Sequence, residues 1–97
     1  MTIEAVEQGA TRDNRESRRY ERTVDGQTAY AQYDLTDGVI AFISTQTPPP
    51  LRGKGVASAL IGDALRDARA RGLKVRAECS FVADYLARHS EFSDLAR

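Results

Sequence analysis

The chain reads Val39-Ile40-Ala41-Phe42-Ile43 and then, after the prolines at 48–50, Leu51-Arg52-Gly53-Lys54-Gly55-Val56-Ala57. Five consecutive apolar residues favour a central strand that is covered on both faces. The prolines end this strand, because proline cannot donate to a sheet ladder. From Val56 to Ala68 the apolar residues recur at the 3.6-residue spacing of a helix with one buried stripe, and Gly72 is a typical helix stop. The stretch therefore predicts a strand followed by a helix.

A second strand is predicted after this helix, since apolar and charged residues alternate from Leu73 to Cys79. Two strands joined by a helix form a βαβ unit, in which the strands are parallel and the crossover is right-handed. The residues from Phe81 to His89 have helical spacing and predict a C-terminal helix. Ligands of such units bind at the carboxyl ends of the strands, which here are Ser44 to Thr47 and Cys79-Ser80.

The N-terminal half predicts antiparallel strands. Asp25-Gly26 and Asp37-Gly38 are hairpin signals, and together with the apolar run they divide residues 18–43 into three strands. Residues 1–13 are polar without a period, and we expect a flexible tail there. The expected fold is α+β (α/β-like): a three-stranded antiparallel meander, a βαβ unit and a C-terminal helix, forming a single domain over residues 14–97.

Composition limits the possible chemistry. A length of 97 residues allows one domain, and a net charge of zero argues against a nucleic-acid-binding surface. One cysteine and one histidine exclude a disulfide framework and a zinc site built on several thiolates. No apolar run approaches the roughly 20 residues of a membrane span, and the N-terminus lacks a secretory pattern. We therefore expect a cytoplasmic protein with no metal, nucleic-acid or membrane partner.

The loop from Arg52 to Ala57 is the strongest candidate for a binding site. Its two glycines allow close backbone approach, and the helix that follows offers N–H groups without internal partners. Together with the helix dipole and the charges of Arg52 and Lys54, these groups suit a phosphate. The spacing matches neither a P-loop nor a dinucleotide fingerprint. A tightly packed helix start with no ligand is the alternative, and the loop alone does not decide between them.

The same loop resembles a known motif. Arg52-Gly53-Lys54-Gly55-Val56-Ala57 is similar to the acyl-CoA motif Arg/Gln-x-x-Gly-x-Gly/Ala of the GNAT superfamily of N-acetyltransferases. The surroundings resemble one small single-domain subgroup, from about Asn14 to Leu95. The other matching pieces are Val24-Asp25-Gly26, Ala29-Tyr30, Tyr33, Thr45, Pro48-Pro49, Gly72-Leu73-Lys74-Val75, Cys79-Ser80-Phe81-Val82, Tyr85 and Arg88-His89.

This resemblance implies a minimal GNAT fold that binds acetyl-CoA as the acyl donor. It assigns the CoA pyrophosphate to Arg52, Gly53, Lys54, Gly55, Val56 and Ala57. It assigns backbone contacts with the pantetheine to Phe42, Ile43, Ser44 and Thr45, in a gap between two splayed parallel strands. The implied activity is transfer of the acetyl group to a primary amine. We expect a backbone N–H near Ile43 or Ser44 to stabilise the oxyanion.

Two side chains are candidate catalytic residues. Subgroup members carry a cysteine at the position of Cys79, and a thiol beside the gap could accept the acyl group if its pKa is lowered. The alternative is a buried core cysteine in line with Leu73, Val75 and Ala77. In many GNAT enzymes a tyrosine in the last helix protonates the departing CoA thiolate, which points to Tyr85. Its alternative is an apolar packing contact. His89 is expected to be a capping or surface residue.

The sequence departs from the subgroup pattern on the acceptor side. Subgroup members commonly read His-Thr-Glu-Val-Pro where this chain has Ser44-Thr45-Gln46-Thr47-Pro48, so a carboxylate and a histidine are missing. Ala77-Glu78 stands where proline and an apolar residue are usual, and alternation points Glu78 away from Cys79.

Three functions therefore remain open. The leading one is an N-acetyltransferase with an open, shallow site, suited to a protein side chain or N-terminus as acceptor. The second is a module that binds acetyl-CoA or CoA without turnover. The third is an interaction domain with no ligand.

Overall fold

The computed structural model describes residues 10–96. One sheet contains five strands in the order β1 to β5: Thr11–Asn14, Arg19–Val24, Gln27–Thr36, Val39–Gln46 and Lys74–Ala77. The first four strands are antiparallel neighbours, and β4 pairs with β5 in parallel. Helix α1 spans Val56–Ala70 between β4 and β5, and α2 spans Ser80–Arg88. Short 3-10 helices cover Pro49–Leu51 and Ser90–Leu95. The predicted α+β class and βαβ unit are confirmed.

The meander has four strands, so the prediction of three strands was wrong. The additional strand, β1, includes residues 11–13, which the sequence assigned to a flexible tail; residues 1–9 of that tail lie outside the described part. β1 is an edge strand that is held by polar contacts. The Thr11 hydroxyl donates to Asp63 at 2.7 Å, and the Tyr33 hydroxyl donates to Asp13 at 2.6 Å. Such a strand carries no apolar alternation, so periodicity does not reveal it.

The apolar core lies on one face of the sheet. Ile40 and Phe42 of β4 are fully buried in a cluster with side chains of both helices, such as Leu60 and Val82. Val39 and Ala41, whose side chains alternate with these, are buried as well, at 9% and 5% exposed. Residues 39–42 of β4 are therefore covered on both faces, as the apolar run predicts, whereas Ile43 is 39% exposed.

A polar network fixes the C-terminal end of α1 to the sheet. The Tyr20 hydroxyl donates to Asp67 at 2.5 Å, and Arg71 contacts Asp13 at 3.1 Å and Asp67 at 3.4 Å. Burial and the bond to Asp67 raise the pKa of Tyr20. Burial and the bond to Asp13 raise the pKa of Tyr33 to about 12. Both tyrosines therefore stay neutral donors at any physiological pH.

Replacing Tyr33 with phenylalanine tests this network. We expect the free energy of unfolding to fall by about 1.5 kcal/mol near pH 8, because the charged carboxylate of Asp13 no longer accepts a hydrogen bond from residue 33. The Tyr33 pKa is raised to about 12 in the folded state, so the unfolded state loses the proton first, from about pH 10. The stability that the hydroxyl contributes is present below about pH 10 and is lost as the pH rises towards 12. Urea titrations at several pH values measure the free energy of unfolding of wild type and variant. We expect the difference between the two free energies to become smaller above pH 10, and a constant difference would contradict this account.

Candidate functional site

The site begins where β4 and β5 part. Their parallel pairing ends at Phe42 and Ala77, and the last backbone bond runs from the Glu78 N–H to the Phe42 carbonyl at 2.9 Å. β4 continues to Gln46, and no strand among residues 10–96 pairs with it on that side. On its other side, the register with β3 shifts between Gln32 and Tyr33, which leaves Ile43 as a bulged residue. A gap therefore opens beside residues 43–46 of β4.

Cys79 lies at this gap as the N-cap of α2. Its thiol is half-buried, and its Sγ is 3.4 Å from the Thr45 hydroxyl oxygen. Burial acts to raise the pKa of the Cys79 thiol. The Thr45 hydroxyl and the nearby backbone N–H groups of Val82, Phe81 and Thr45 favour the thiolate, outweigh burial and lower that pKa below its ordinary value. A thiol with these donors ionises more readily and is a better nucleophile at neutral pH.

The glycine loop forms the second part of the site. Gly53 and Gly55 have φ of 78° and 77°, in the left-handed region that favours glycine. Gly55 is the N-cap of α1, with no side chain capping the helix and no acidic residue in the first turn. The first helical bond joins the Ala59 N–H to the Gly55 carbonyl. Within residues 10–96, nothing accepts from the N–H groups of residues 56–58.

An open cavity of about 290 Å³ lies over these N–H groups. It is lined by the glycine loop and by four residues to which the sequence assigned no binding role: Thr47, Leu51, Ser58 and Phe81. Phe81 is 36% exposed, a large value for an aromatic ring in the first turn of a helix. This exposure is what marks Phe81 as part of the cavity wall. The sequence does not show it, because Phe81 also fits the apolar stripe of α2.

The predicted cofactor residues occupy the loop and the gap. Gly53 and Gly55 line the cavity with exposed backbone, whereas the Val56 side chain is buried in the core. The Arg52 guanidinium donates to the Thr47 carbonyl at 3.0 Å, which ties the loop to the end of β4. Lys54 is exposed.

Of the four predicted pantetheine contacts, Ile43, Ser44 and Thr45 lie along the gap. Phe42 lies where the gap begins: its side chain is fully buried and its carbonyl accepts the Glu78 N–H. Its contact with the pantetheine stays a prediction.

Tyr85 lies between the two helices. The Tyr85 hydroxyl lies against the middle of α1, where a Cβ added at Gly62 would be 2.7 Å from it. Its ring stacks on His89 with centroids 3.8 Å apart, and His89 Nδ1 is 2.8 Å from the Tyr85 carbonyl. Burial raises the pKa of Tyr85. Tyr85 therefore packs against α1 and His89, and His89 closes the end of α2; the general-acid role of Tyr85 stays a prediction.

Among residues 10–96, no group of three or more His, Cys, Asp or Glu side chains is placed to hold a metal ion. No helix in the described part is long and apolar enough to cross a membrane.

The pKa of Cys79 can be tested through Thr45. We expect Thr45→Val to raise the pKa of the thiol and to slow its alkylation at neutral pH, because the hydroxyl donor is lost. Thr45→Ser keeps the hydroxyl and is the matched control. The rate of reaction with iodoacetamide as a function of pH reports the pKa, and the signal is unambiguous because the chain has one cysteine. Identical profiles for wild type and Thr45→Val would show that Thr45 does not tune the thiol.

A comparison with protein families finds a match. Residues 19–95 match the model of a family described as GCN5-related N-acetyl-transferase. The match covers β2 to β5, both helices and every site residue discussed above. A search among curated proteins finds no match to this chain. The chain belongs to the GCN5-related N-acetyltransferase family.

Proposed function

We propose that this member of the GCN5-related N-acetyltransferase family transfers an acetyl group from acetyl-CoA to a primary amine. One observation carries the proposal. The uncapped N-terminus of α1 borders an open cavity, and the thiol of Cys79, whose pKa is lowered, lies near the same end of β4. The first feature suits the phosphates of CoA, and the second suits the chemistry of its thioester.

The glycine loop fits a pyrophosphate. The N–H groups of residues 56–58 lack partners among the described residues, and they lie at the positive end of the 15-residue helix α1. No heavy atom lies within 4 Å of a Cβ added at Gly53 or Gly55, so the backbone of the loop is open to a ligand. Lys54 adds a mobile positive charge, and Arg52 holds the loop in place through Thr47.

The gap between β4 and Cys79 fits the pantetheine arm. Phe81 lines the phosphate cavity and also begins the helix that Cys79 caps, so an extended ligand can pass from one to the other along the edge of β4. Thr45 borders the far end of this path. A thioester bound there would lie next to the Cys79 thiol.

The lowered pKa of Cys79 favours a two-step transfer. The thiolate attacks the thioester carbonyl, the bond between that carbon and the CoA sulfur breaks, and CoA leaves as its thiolate, which takes up a proton from water. A neutral amine then attacks the acetyl-cysteine, forms the amide and expels the Cys79 thiolate, and the amine's surplus proton passes to water. Thioester exchange of this kind needs no carboxylate base, which fits the presence of Ser44 and Gln46 on β4.

The acceptor would approach the end of β4 from the face that carries Ser44 and Gln46. Cross-strand register places Ser44 beside Gln32, and Gln46 beside Tyr30, on this face. Gln46 is exposed and the other three are half-buried, so the approach is open and polar. This openness supports a protein side chain or N-terminus as the acceptor.

The second candidate is a module that binds acetyl-CoA without turnover. Ser44 and Gln46 favour it, because neither side chain can remove a proton from an acceptor amine. Binding requires only the glycine loop and the gap.

Cofactor binding is tested at Gly55. Alanine at this position has to adopt a φ of 77°, which costs about 1–2 kcal/mol in the bound loop geometry. We expect Gly55→Ala to weaken acetyl-CoA binding about tenfold in calorimetric titrations. Gly38→Ala is the matched control: its φ of 76° imposes a similar strain at the far hairpin, so stability should fall while affinity is kept. Equal affinities for Gly55→Ala and wild type would show that the glycine loop does not bind acetyl-CoA.

Turnover is tested at Cys79. With acetyl-CoA and no amine, we expect the mass of wild type to increase by one acetyl group on Cys79, and free CoA to appear in equal amount. With a peptide mixture added, CoA release should become continuous. Cys79→Ala should bind acetyl-CoA and release no CoA. Continued turnover by Cys79→Ala would show that the amine attacks acetyl-CoA directly, without an acetyl-cysteine intermediate. Binding without CoA release by wild type would favour the second candidate.

A further inference from the structure

A notch in the sheet lies at the opposite end from the acyl-CoA site. The pairing of β2 with β3 ends at Arg19 and Gln32, whereas β3 continues to Thr36. The turn at residues 15–18 closes one end of this notch. The resulting cavity has a volume of about 350 Å³ and is lined by Arg15, Arg18, Arg71 and the last residues of β3.

The notch exposes backbone groups of β3. Thr36 pairs with Val39 across a two-residue turn whose residues have φ of 53° and 76°. In such a hairpin the flanking pair exchanges both hydrogen bonds, and bonded and non-bonded pairs alternate along the strand. The N–H and C=O of Leu35 therefore point away from β4 and into the notch. The Tyr33 N–H follows the same alternation and donates to the Arg18 carbonyl at 2.9 Å.

No described residue pairs with these groups of Leu35. The Leu35 side chain is 43% exposed, the largest value among the exposed large apolar residues of the described part. The segment therefore combines an unpaired backbone donor, an unpaired backbone acceptor and an apolar side chain, as the edge of a sheet does before another strand is added.

Arginines surround this edge. The side chains of Arg15 and Arg18 are 72% and 69% exposed, and that of Arg71 is 25% exposed. Arg15 and Arg71 share the Asp13 carboxylate, at 3.1 Å each, and Arg18 lies 3.6 Å from Asp34. Asp13 is 12% exposed and also accepts from Tyr33, so little of its charge reaches the notch. Each guanidinium has five N–H donors, and the outer arginines keep most of theirs free for a second carboxylate.

We propose that the notch is a strand-addition site for an extended peptide segment that carries carboxylate side chains. The peptide backbone would pair with Leu35 in the position that β2 leaves vacant, and an apolar side chain would cover that of Leu35. Carboxylates would meet Arg15 and Arg18. The cavity volume corresponds to a short contact of a few residues. Its place beside Thr36 and Val39 is about 20 Å along β4 from Thr45, so acetyl-CoA and the peptide bind without competition.

The experiment uses a synthetic peptide, acetyl-Glu-Val-Glu-Val-Glu-amide, added to the full chain. We expect amide NMR shifts at residues 33–36 and at Arg18, and slower hydrogen exchange of the Leu35 N–H. The same peptide with N-methylated valines cannot pair with β3 and should bind at least about tenfold more weakly. A peptide with lysine in place of glutamate should not bind.

Protein variants provide the second arm. Arg15→Gln combined with Arg18→Gln should weaken peptide binding about tenfold or more. Arg66→Gln combined with Arg88→Gln removes two arginines that are 62% and 71% exposed and do not line the notch, and it should leave binding unchanged. Equal binding of the N-methylated peptide, or equal shifts with sodium acetate or phosphate alone, would overturn strand addition in favour of a simple anion site. Absence of amide NMR shifts at millimolar peptide concentration would show that the notch does not bind such peptides.

Discussion

The parting of β4 from β5 is the constraint on which the candidate site depends. The bond between Phe42 and Glu78 is the last link between the two strands. One residue later the chain turns into α2, so Cys79 becomes a helix N-cap instead of a paired strand residue. The same turn that opens the gap therefore brings backbone N–H groups of α2 near the Cys79 sulfur. The space for a ligand and the lowered pKa of the thiol have one structural cause.

The position of the glycine loop depends on how α1 is held at both ends. At the N-terminal end, Leu51 and Val56 are buried in the core on either side of the loop. At the C-terminal end, Tyr20 and Arg71 bond to the acidic residues of the polar network. Since both ends are fixed, the exposed glycines can adopt left-handed conformations without freeing the helix. A rigid N-terminus keeps its dipole aimed at one place, which phosphate binding requires.

The sequence is informative wherever periodicity or turn chemistry determines structure. The βαβ unit, both helices and the two Asp-Gly hairpins follow from such patterns. β1 was missed because it is held by contacts with distant residues such as Asp63 and Tyr33, and polar edge strands show no period. The bulge at Ile43 cannot be predicted, because every residue from 39 to 43 is apolar and no alternation is interrupted. The direction of Tyr85 depends on the missing side chain of Gly62, a relation across 23 positions that no local pattern contains.

The absence of a carboxylate at positions 44 and 46 affects the choice of acceptor under the proposed function. An amine attacks only in its neutral form, and no described side chain at the gap is placed to deprotonate it. At pH 7.5 an α-amino group, with an ordinary pKa of about 7.8, is neutral about a third of the time. A lysine amine, with an ordinary pKa of about 10.4, is neutral about one part in a thousand. An open, water-exposed approach does little to change either value. The greater nucleophilicity of lysine offsets only part of this difference, so the site without a base is better suited to a chain N-terminus than to a lysine side chain.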